Sequence, residues 1–217
     1  MNQYRALIFD LGGVILALDF QRAYRRMSEL CGIAAQDLPR HIGATGLVPK
    51  FECGQIGTEE FVEQLSSSFQ GKVSREQFVE IWDCIFEPYT LIPESLFASL
   101  KPHYRLVLLS NTNALHFEMI ERRYPMLRHF DAQVLSFRVG ASKPDARIYA
   151  AAIAAAGCEP AQCFFVDDSP AYVEGARAAG IDAEQFTSLE ALLETLGRRG
   201  ILENQSKPPG LAAPAEG

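Results

Sequence analysis

Three strongly apolar runs along the chain predict strands that are buried on both faces of a parallel sheet. They cover residues 4–9, 104–109 and 163–166, and they lack the polar alternation of a half-exposed strand. Two shorter apolar runs, at 133–137 and 181–186, predict two further strands. Strands that alternate with helices indicate an α/β fold built around a parallel sheet. Periodicity and boundary residues predict those helices over 93–100, 114–124, 145–156, 172–179 and 189–196.

A long stretch between the first and second of these strands, residues 18–88, has helical rather than strand periodicity. Apolar side chains recur there at spacings of three and four, which predicts helices over 20–31, 58–69 and 74–86. We therefore expect an α/β core made of residues 1–17 and 89–200, interrupted by a helical insertion. The aromatic side chains of the insertion are expected to pack mainly against one another. Its candidates for facing a ligand are Arg22, Lys50, Glu52 and Trp82.

Composition and charge narrow the class of protein. The chain has 217 residues, 48% of them hydrophobic, which is enough for a full core, and its net charge of −7 argues against nucleic acid or an anionic membrane as a main partner. No apolar stretch approaches the length that spans a bilayer, and the N-terminus passes into the first strand without the features of a secretory signal. Five scattered cysteines are typical of reduced thiols, so we expect a cytoplasmic protein. Residues 204–217, rich in Pro, Gly, Ala and charge, predict a disordered tail without catalytic function.

The first apolar run ends in a single carboxylate, Asp10, followed by Leu11, Gly12 and Gly13. Parallel sheets hold ligands beyond the carboxyl ends of their strands, and glycines allow the backbone to turn sharply and to approach a ligand closely. The pattern therefore favours a carboxylate presented to a ligand. Taken alone, it also fits an ordinary turn or helix cap.

Other polar groups follow the later strands in the same way. Ser110-Asn111-Thr112-Asn113 offers hydroxyl and amide groups suited to an oxyanion, with a helix predicted to begin near Asn113. Lys143 precedes Pro144, and the adjacent pair Asp167 and Asp168 follows the third apolar run. Neighbouring carboxylates repel each other unless a cation or protons compensate, which favours a hard-cation site. Each motif by itself also has a simpler interpretation, as a helix cap or as a solvated surface lysine.

Together, in this order after predicted strands, the four motifs resemble those of the haloacid dehalogenase-like hydrolase superfamily. The resemblance covers about residues 4–197, and most members of the family are magnesium-dependent phosphatases that act through an aspartyl-phosphate. It implies a three-layer Rossmann-like core with a parallel sheet and an inserted all-helical cap at residues 18–88. It also implies Mg²⁺ as cofactor and a small phosphorylated substrate, such as a sugar phosphate.

The resemblance assigns a role to each motif residue. Asp10 is the expected nucleophile, and Lys143 is the expected charge-neutralising residue. Ser110 and Asn111 are expected to bind phosphate, together with the Gly12–Gly13 turn. The expected metal ligands are Asp10, the backbone carbonyl of Gly12 and Asp168, with Asp167 close behind.

One position departs from the family pattern. Most phosphatases of the family have a second aspartate two residues after the nucleophile, where this chain has Gly12, as in a sugar-phosphatase-like branch. The change removes a general acid/base, a group typically worth about two to four orders of magnitude in rate. We therefore expect a preference for good leaving groups, such as a sugar 1-phosphate or an aryl phosphate. Asp19, His116 and Asp145 are alternative proton carriers, although each also fits a surface or capping role.

Two other functions stay open at this point. The first is a dehalogenase of the same fold, in which Asp10 attacks carbon and halide leaves without an acid. Gly12 is compatible with that chemistry, whereas the Asp167–Asp168 pair argues against it because a metal-free dehalogenase needs no cation site. The second is a binding or regulatory protein that has kept the fold and lost turnover, for which Gly12 is again the best support. Nothing in the sequence indicates an oligomeric state.

Overall fold

The computed structural model describes residues 3–202, so the tail predicted at 204–217 lies outside the described residues. Along this part of the chain, every helix is too short or too polar to cross a bilayer. The strands are β1 (Ala6–Phe9), β2 (Leu16–Leu18), β3 (Phe86–Thr90), β4 (Arg105–Ser110), β5 (Ala132–Leu135), β6 (Cys163–Asp167) and β7 (Asp182–Gln185). The α-helices are α1 (Phe20–Cys31), α2 (Leu38–Ala44), α3 (Leu47–Glu52), α4 (Thr58–Ser68), α5 (Arg75–Asp83), α6 (Glu94–Leu100), α7 (Ala114–Arg123), α8 (Ser136–Val139), α9 (Ala146–Ala156), α10 (Pro170–Ala178) and α11 (Leu189–Arg198). Two short 3₁₀ helices cover Pro125–His129 and Pro160–Gln162.

Five parallel strands form the central sheet in the order β5-β4-β1-β6-β7. The central strand β1 pairs with β4 on one side and with β6 on the other, and Phe9 lies opposite both Leu108 and Val166. This register brings the carboxyl ends of the three longest apolar runs to nearly the same level. The residues that follow them therefore emerge side by side at one edge of the sheet.

Helices cover both faces of the sheet, which explains the unbroken apolar runs. In β1, Ala6 and Ile8 face the layer that contains α9 and α10, while Leu7 and Phe9 face the layer that contains α6, α7 and α11. A strand with apolar neighbours on both faces needs apolar side chains at every position. The predicted three-layer α/β core with a parallel sheet is confirmed.

Helices α1 to α5 form an insertion between β2 and β3, which pair antiparallel with each other outside the central sheet. The insertion has its own cluster of buried side chains, in which the rings of Phe51 and Phe61 stack at 4.2 Å and Phe78 packs edge-on against Phe61. Two of its helices begin with a capping side chain. Asp19 accepts a hydrogen bond from the N–H of Arg22 at the start of α1, and Ser74 forms a capping box with Gln77 at the start of α5.

The third helix expected in the insertion is shorter than its periodicity suggested. It ends at Asp83 instead of Phe86, because Phe86 begins β3 and pairs with Leu18. Pro88 two residues later is compatible with this strand and disfavours helical backbone at Glu87. Similarly, the strand expected at 133–137 ends at Leu135, where the chain turns into α8.

Several short elements were not expected from the sequence. Helices α2 and α3 have only 7 and 6 residues, too few for a periodic signal. Strands β2 and β3 form only through pairing between segments that are about seventy residues apart. Such pairing depends on long-range contacts rather than on the local pattern.

The end of α3 packs directly against a loop of the core. Gly54 follows α3 with φ +64°, and a Cβ atom there would lie 2.2 Å from the backbone oxygen of Phe137 in α8. Beside it, the Cys53 Sγ lies 3.1 Å from the Ser142 Oγ. The insertion therefore contacts the core next to Lys143, and only glycine fits at the point of closest approach.

We expect Gly54→Ala to lower the free energy of unfolding more than Gly46→Ala does. Gly46 also has a positive φ, +65°, but a Cβ there would have no atom within 4 Å, so this variant measures left-handed backbone strain alone, about 1 kcal/mol. Gly54→Ala adds the overlap with the Phe137 oxygen, about 1–3 kcal/mol more. Urea denaturation of both variants gives the difference. Equal losses of unfolding free energy in the two variants would show that the α3–α8 contact accommodates the added methyl group without destabilising the protein.

Candidate active site

Asp10 lies at the carboxyl end of β1, where its N–H still donates to the Val166 oxygen at 3.0 Å. Its side chain is buried. Burial raises the pKa of Asp10 to about 6, while the Lys143 ammonium opposes the shift and the neighbouring Asp167 carboxylate adds to it. A hydrogen bond from the Leu11 N–H also favours the charged form. The sharp turn after β1 thus presents a carboxylate whose charge depends on its neighbours.

Lys143 lies between two buried carboxylates. Its Nζ is 2.8 Å from the Asp10 Oδ1 and 2.5 Å from the Asp167 Oδ2, and it donates to the Leu109 oxygen at 3.3 Å. Burial lowers the pKa of Lys143, but the charges of Asp10 and Asp167 outweigh this and leave the pKa above its ordinary value. Lys143 therefore stays an ammonium ion, fixed at three acceptors.

The side chain of Asn111 fixes the loop that carries Lys143. Its Oδ1 accepts the Lys143 N–H at 2.8 Å and its Nδ2 donates to the Lys143 oxygen at 3.1 Å. These two bonds tie the loop after β4 to the loop before α9. Asn111 was expected to bind phosphate. In the structure its side-chain amide binds the backbone of Lys143, and one of its two amide hydrogens is not used in these bonds.

Asp167 and Asp168 differ in environment although they are adjacent. Asp167 is fully buried at the end of β6, and its Oδ1 accepts the Ser169 N–H at 2.8 Å while its Oδ2 faces Lys143. Asp168 is more exposed, and its pKa is raised by partial burial and by the charge of Asp167. It lies over Gly13, where a Cβ would be 2.4 Å from the Asp168 Oδ2. Gly13, with φ +79°, is thus required both by the turn and by this close approach.

One carboxylate oxygen each from Asp10, Asp167 and Asp168 lies within 4.8 Å of the other two. Three acidic groups stand against the single ammonium of Lys143, so the cluster has an excess of negative charge. Carboxylate oxygens are the ligands that hard divalent cations prefer. The donor set and its charge therefore fit Mg²⁺.

The last residue of β4, Ser110, and Thr112 in the loop that follows are further polar residues at this edge of the sheet. Ser110 is buried at the end of the strand, and the Thr112 N–H donates to the Ser136 Oγ at 2.9 Å while the Ser136 hydroxyl donates to the Thr112 oxygen at 2.9 Å. Asn113 caps α7 by accepting the His116 N–H at 3.0 Å, as the sequence suggested. Ser136 is a supporting residue that carried no sequence signal, because only the pairing of β4 with β5 brings it to this loop.

The three alternative proton carriers have structural partners instead. The His116 Nε2 donates to the Trp82 oxygen at 3.0 Å, its Nδ1 faces the Asn113 amide, and burial lowers its pKa to about 4. Asp19 caps α1 and pairs with arginines of that helix. Asp145 caps α9 and binds Arg147.

A cavity of about 430 Å³ lies between these core loops and the insertion. Gly12 lines it, and a Cβ at Gly12 would be 2.9 Å from the Leu18 Cδ1, so Leu18 fills the space where a longer side chain would start. Of the four insertion residues proposed to face a ligand, Glu52 and Trp82 line the cavity. Arg22 is bound to Glu87 and to the Cys84 oxygen, and Lys50 is exposed.

Comparison with known proteins gives consistent results. A D-ribitol-5-phosphate phosphatase of Bacteroides thetaiotaomicron is 27% identical over 187 residues, covering 82% of this chain and 90% of the relative. A phosphorylated carbohydrates phosphatase of Thermotoga maritima is 27% identical over 181 residues, covering 82% of each chain.

Solved structures match along nearly their whole length. A predicted HAD-like family hydrolase of Porphyromonas gingivalis superposes with a TM-score of 0.80 at 28% identity, covering 94% of this chain and 100% of that one. A HAD family enzyme of B. thetaiotaomicron, in complex with magnesium and inorganic phosphate, gives 0.76 at 26% identity, covering 86% and 96%. The family model of the haloacid dehalogenase-like hydrolases matches residues 4–180. With this match, its parallel α/β core and its acidic cluster, the chain belongs to the haloacid dehalogenase-like hydrolase family.

Proposed function

We propose that this hydrolase is a magnesium-dependent phosphomonoesterase that acts on a small phosphate ester through an aspartyl-phosphate on Asp10. The observation that carries the proposal is the group of Asp10, Asp167 and Asp168 at the carboxyl ends of β1 and β6, with Lys143 of the loop before α9 between two of them. Relatives named as phosphatases support the reaction class, and the magnesium and phosphate complex of the B. thetaiotaomicron enzyme supports the cofactor.

The first chemical problem is electrostatic, because a carboxylate and a phosphate dianion repel each other. Lys143 supplies one positive charge beside Asp10, and it is held there by Asn111 and Asp167. Asp10, Asp168 and the Gly12 carbonyl, with Asp167 behind them, would hold Mg²⁺, which would supply further positive charge for the attack. Lys143 is fixed in place before substrate arrives, so its charge needs little reorganisation.

In the first step, an oxygen of Asp10 forms a bond to phosphorus and the ester P–O bond breaks. The electron pair of that bond leaves on the alcohol oxygen. In the second step, water attacks the phosphorus, releases inorganic phosphate and restores the Asp10 carboxylate. Ser110 and the backbone N–H groups near the start of α7 are suited to orient the phosphoryl oxygens.

Protonation of the leaving oxygen is the weak point of this site. Gly12 offers no acid, and Leu18 occupies the adjacent space. His116, Asp19 and Asp145 are engaged elsewhere in the structure. The leaving group therefore departs with its negative charge or takes a proton from water, which makes its own acidity decisive.

We expect Asp10→Asn to abolish phosphatase turnover, by roughly a thousandfold or more, since the amide is not a nucleophile. Phosphate release from p-nitrophenyl phosphate with Mg²⁺ measures it. Asp37→Asn is the matched control, because Asp37 is a surface residue paired only with Arg40 in the described structure, and it should keep full activity. Retained turnover in Asp10→Asn, with an unchanged circular dichroism spectrum, would refute the assignment.

We expect EDTA to remove the activity and Mg²⁺ to restore it, since three acidic groups against one lysine need a further cation before a phosphate dianion can bind. The same preparation is assayed for halide release from a 2-haloacid. Halide release that survives EDTA would instead favour the dehalogenase, the runner-up that the missing acid at Gly12 leaves open.

We expect the rate to depend steeply on the acidity of the leaving group. The kcat/KM for p-nitrophenyl phosphate should exceed that for ethyl phosphate by at least about two orders of magnitude, the usual worth of a general acid. The double variant Gly12→Asp/Leu18→Ala, which provides both a carboxyl group and space for it, should reduce this ratio. Leu18→Ala alone is its control. Equal rates for the two esters in the wild type would show that another acid serves the site.

A further inference from the structure

The cavity above Gly12 is the place where the non-phosphate part of a substrate would lie. It is bounded on the core side by Gly12, two residues after Asp10, by residues 110–112, of which Asn111 binds the Lys143 backbone, and by α7. Its other walls come from α1, α2, α3, α5 and the β2–β3 pair. The volume of about 430 Å³ lies within the range of roughly 300–1,000 Å³ that is usual for small-molecule sites.

The walls of this cavity are strongly apolar. Glu52 is the one formally charged side chain among the described residues that line it. Aromatic and aliphatic side chains make up most of the remaining surface, among them Phe20, Met27, Ile42, Val48, Phe78 and Ile81.

Most polar groups in the lining are already engaged. His116 uses both ring nitrogens, on the Trp82 oxygen and on Asn113, and Asn111 holds the backbone of Lys143. Ser110 and Thr112 lie at the phosphate end. The other hydrogen-bonding side chains of the lining are Glu52, Tyr24 and Trp82, whose indole nitrogen is buried without a partner within the described part of the chain.

From this lining we infer that the substrate is a phosphate monoester with an apolar body, alkyl or aromatic, rather than a sugar or polyol phosphate. The inference rests on the proposed phosphomonoesterase function and names the substrate class of that same site. A polyol has a hydroxyl on each carbon, and each one that leaves water without a new partner costs free energy. An apolar body gains free energy from the same burial.

An aromatic body also meets the chemical demand of the site. Phenols are better leaving groups than alcohols, so an aryl phosphate needs no acid at Gly12. Phe78 and Trp82 line the cavity and stack on each other at 5.5 Å, and Trp82 also stacks on His116 at 5.3 Å, so a planar substrate ring would meet an aromatic wall there. The apolar cavity thus favours esters with apolar bodies, and the missing acid favours esters with good leaving groups. Aryl phosphates meet both conditions.

The test separates the body of the substrate from the reactivity of its leaving group. Hexyl phosphate and 2-phenylethyl phosphate are compared with glycerol 3-phosphate and D-ribitol 5-phosphate, all esters of primary alcohols, in the full-length enzyme with Mg²⁺. We expect kcat/KM for the two apolar esters to be at least tenfold higher, mainly through a lower KM. Higher kcat/KM for the polyol esters would overturn the inference.

A pair of variants checks that the cavity causes the preference. Val48 in α3 and Val79 in α5 are both half-buried and both pack against the core of the insertion, but only Val48 lines the cavity. Val48→Asn should lower kcat/KM for hexyl phosphate about tenfold and should lower the ratio of that value to the value for glycerol 3-phosphate. Val79→Asn should change neither, and thermal denaturation shows whether both variants are folded. Equal effects of the two variants on hexyl phosphate would contradict the role of the cavity.

Failure of the inference and failure of the proposed function give different results. If p-nitrophenyl phosphate is hydrolysed in the presence of Mg²⁺ and the polyol esters are the better primary-alcohol substrates, the phosphomonoesterase stands and the apolar substrate class is wrong. If no phosphate ester is hydrolysed, p-nitrophenyl phosphate included, the proposed function itself is wrong.

Discussion

The ion cluster of Lys143 with Asp10 and Asp167 is the interaction on which the rest of this structure depends. Two carboxylates buried at the ends of neighbouring strands repel each other, and the positive charge of the ammonium between them stabilises their ionised forms. Removing one member of such a buried cluster typically costs about 3–5 kcal/mol, because the remaining charges are left uncompensated. The cluster still has more acid than base, since Asp168 adds a third carboxylate. The cluster therefore has an excess of negative charge that a bound cation would neutralise.

Precise placement of Lys143 comes from contacts distributed over the whole chain. The parallel register of β4, β1 and β6 levels the strand ends, and Asn111 ties the lysine loop to the end of β4. The insertion adds a further restraint, because the segment Cys53–Gly54 packs against Ser142 and Phe137 just before Lys143. The insertion that lines the cavity and the loop that carries Lys143 are therefore in direct contact.

Under the proposed function, the chemistry and the cavity together favour a restricted set of esters. Gly12 provides no acid, the Leu18 side chain lies beside it, and the insertion lines the cavity with apolar side chains. In that proposal, none of these features weakens phosphate binding. They act on the part of the substrate that leaves, and this is where members of one family can differ while their cores remain alike.

The sequence by itself determined the core of this protein, because fully buried parallel strands need unbroken apolar runs and ligand groups follow their carboxyl ends. The runs that became β1, β4 and β6 and the helix α1 are local patterns that could be read directly. Tertiary structure alone decided the pairing of β2 with β3, the short helices α2 and α3, and the early end of α5 at Asp83, since each depends on contacts between distant segments. It also decided that Asn111 holds the lysine loop, that Ser136 supports Thr112, and that Leu18 fills the space beside Gly12. A side chain's type can be read along the chain, but its partners are set by packing in three dimensions.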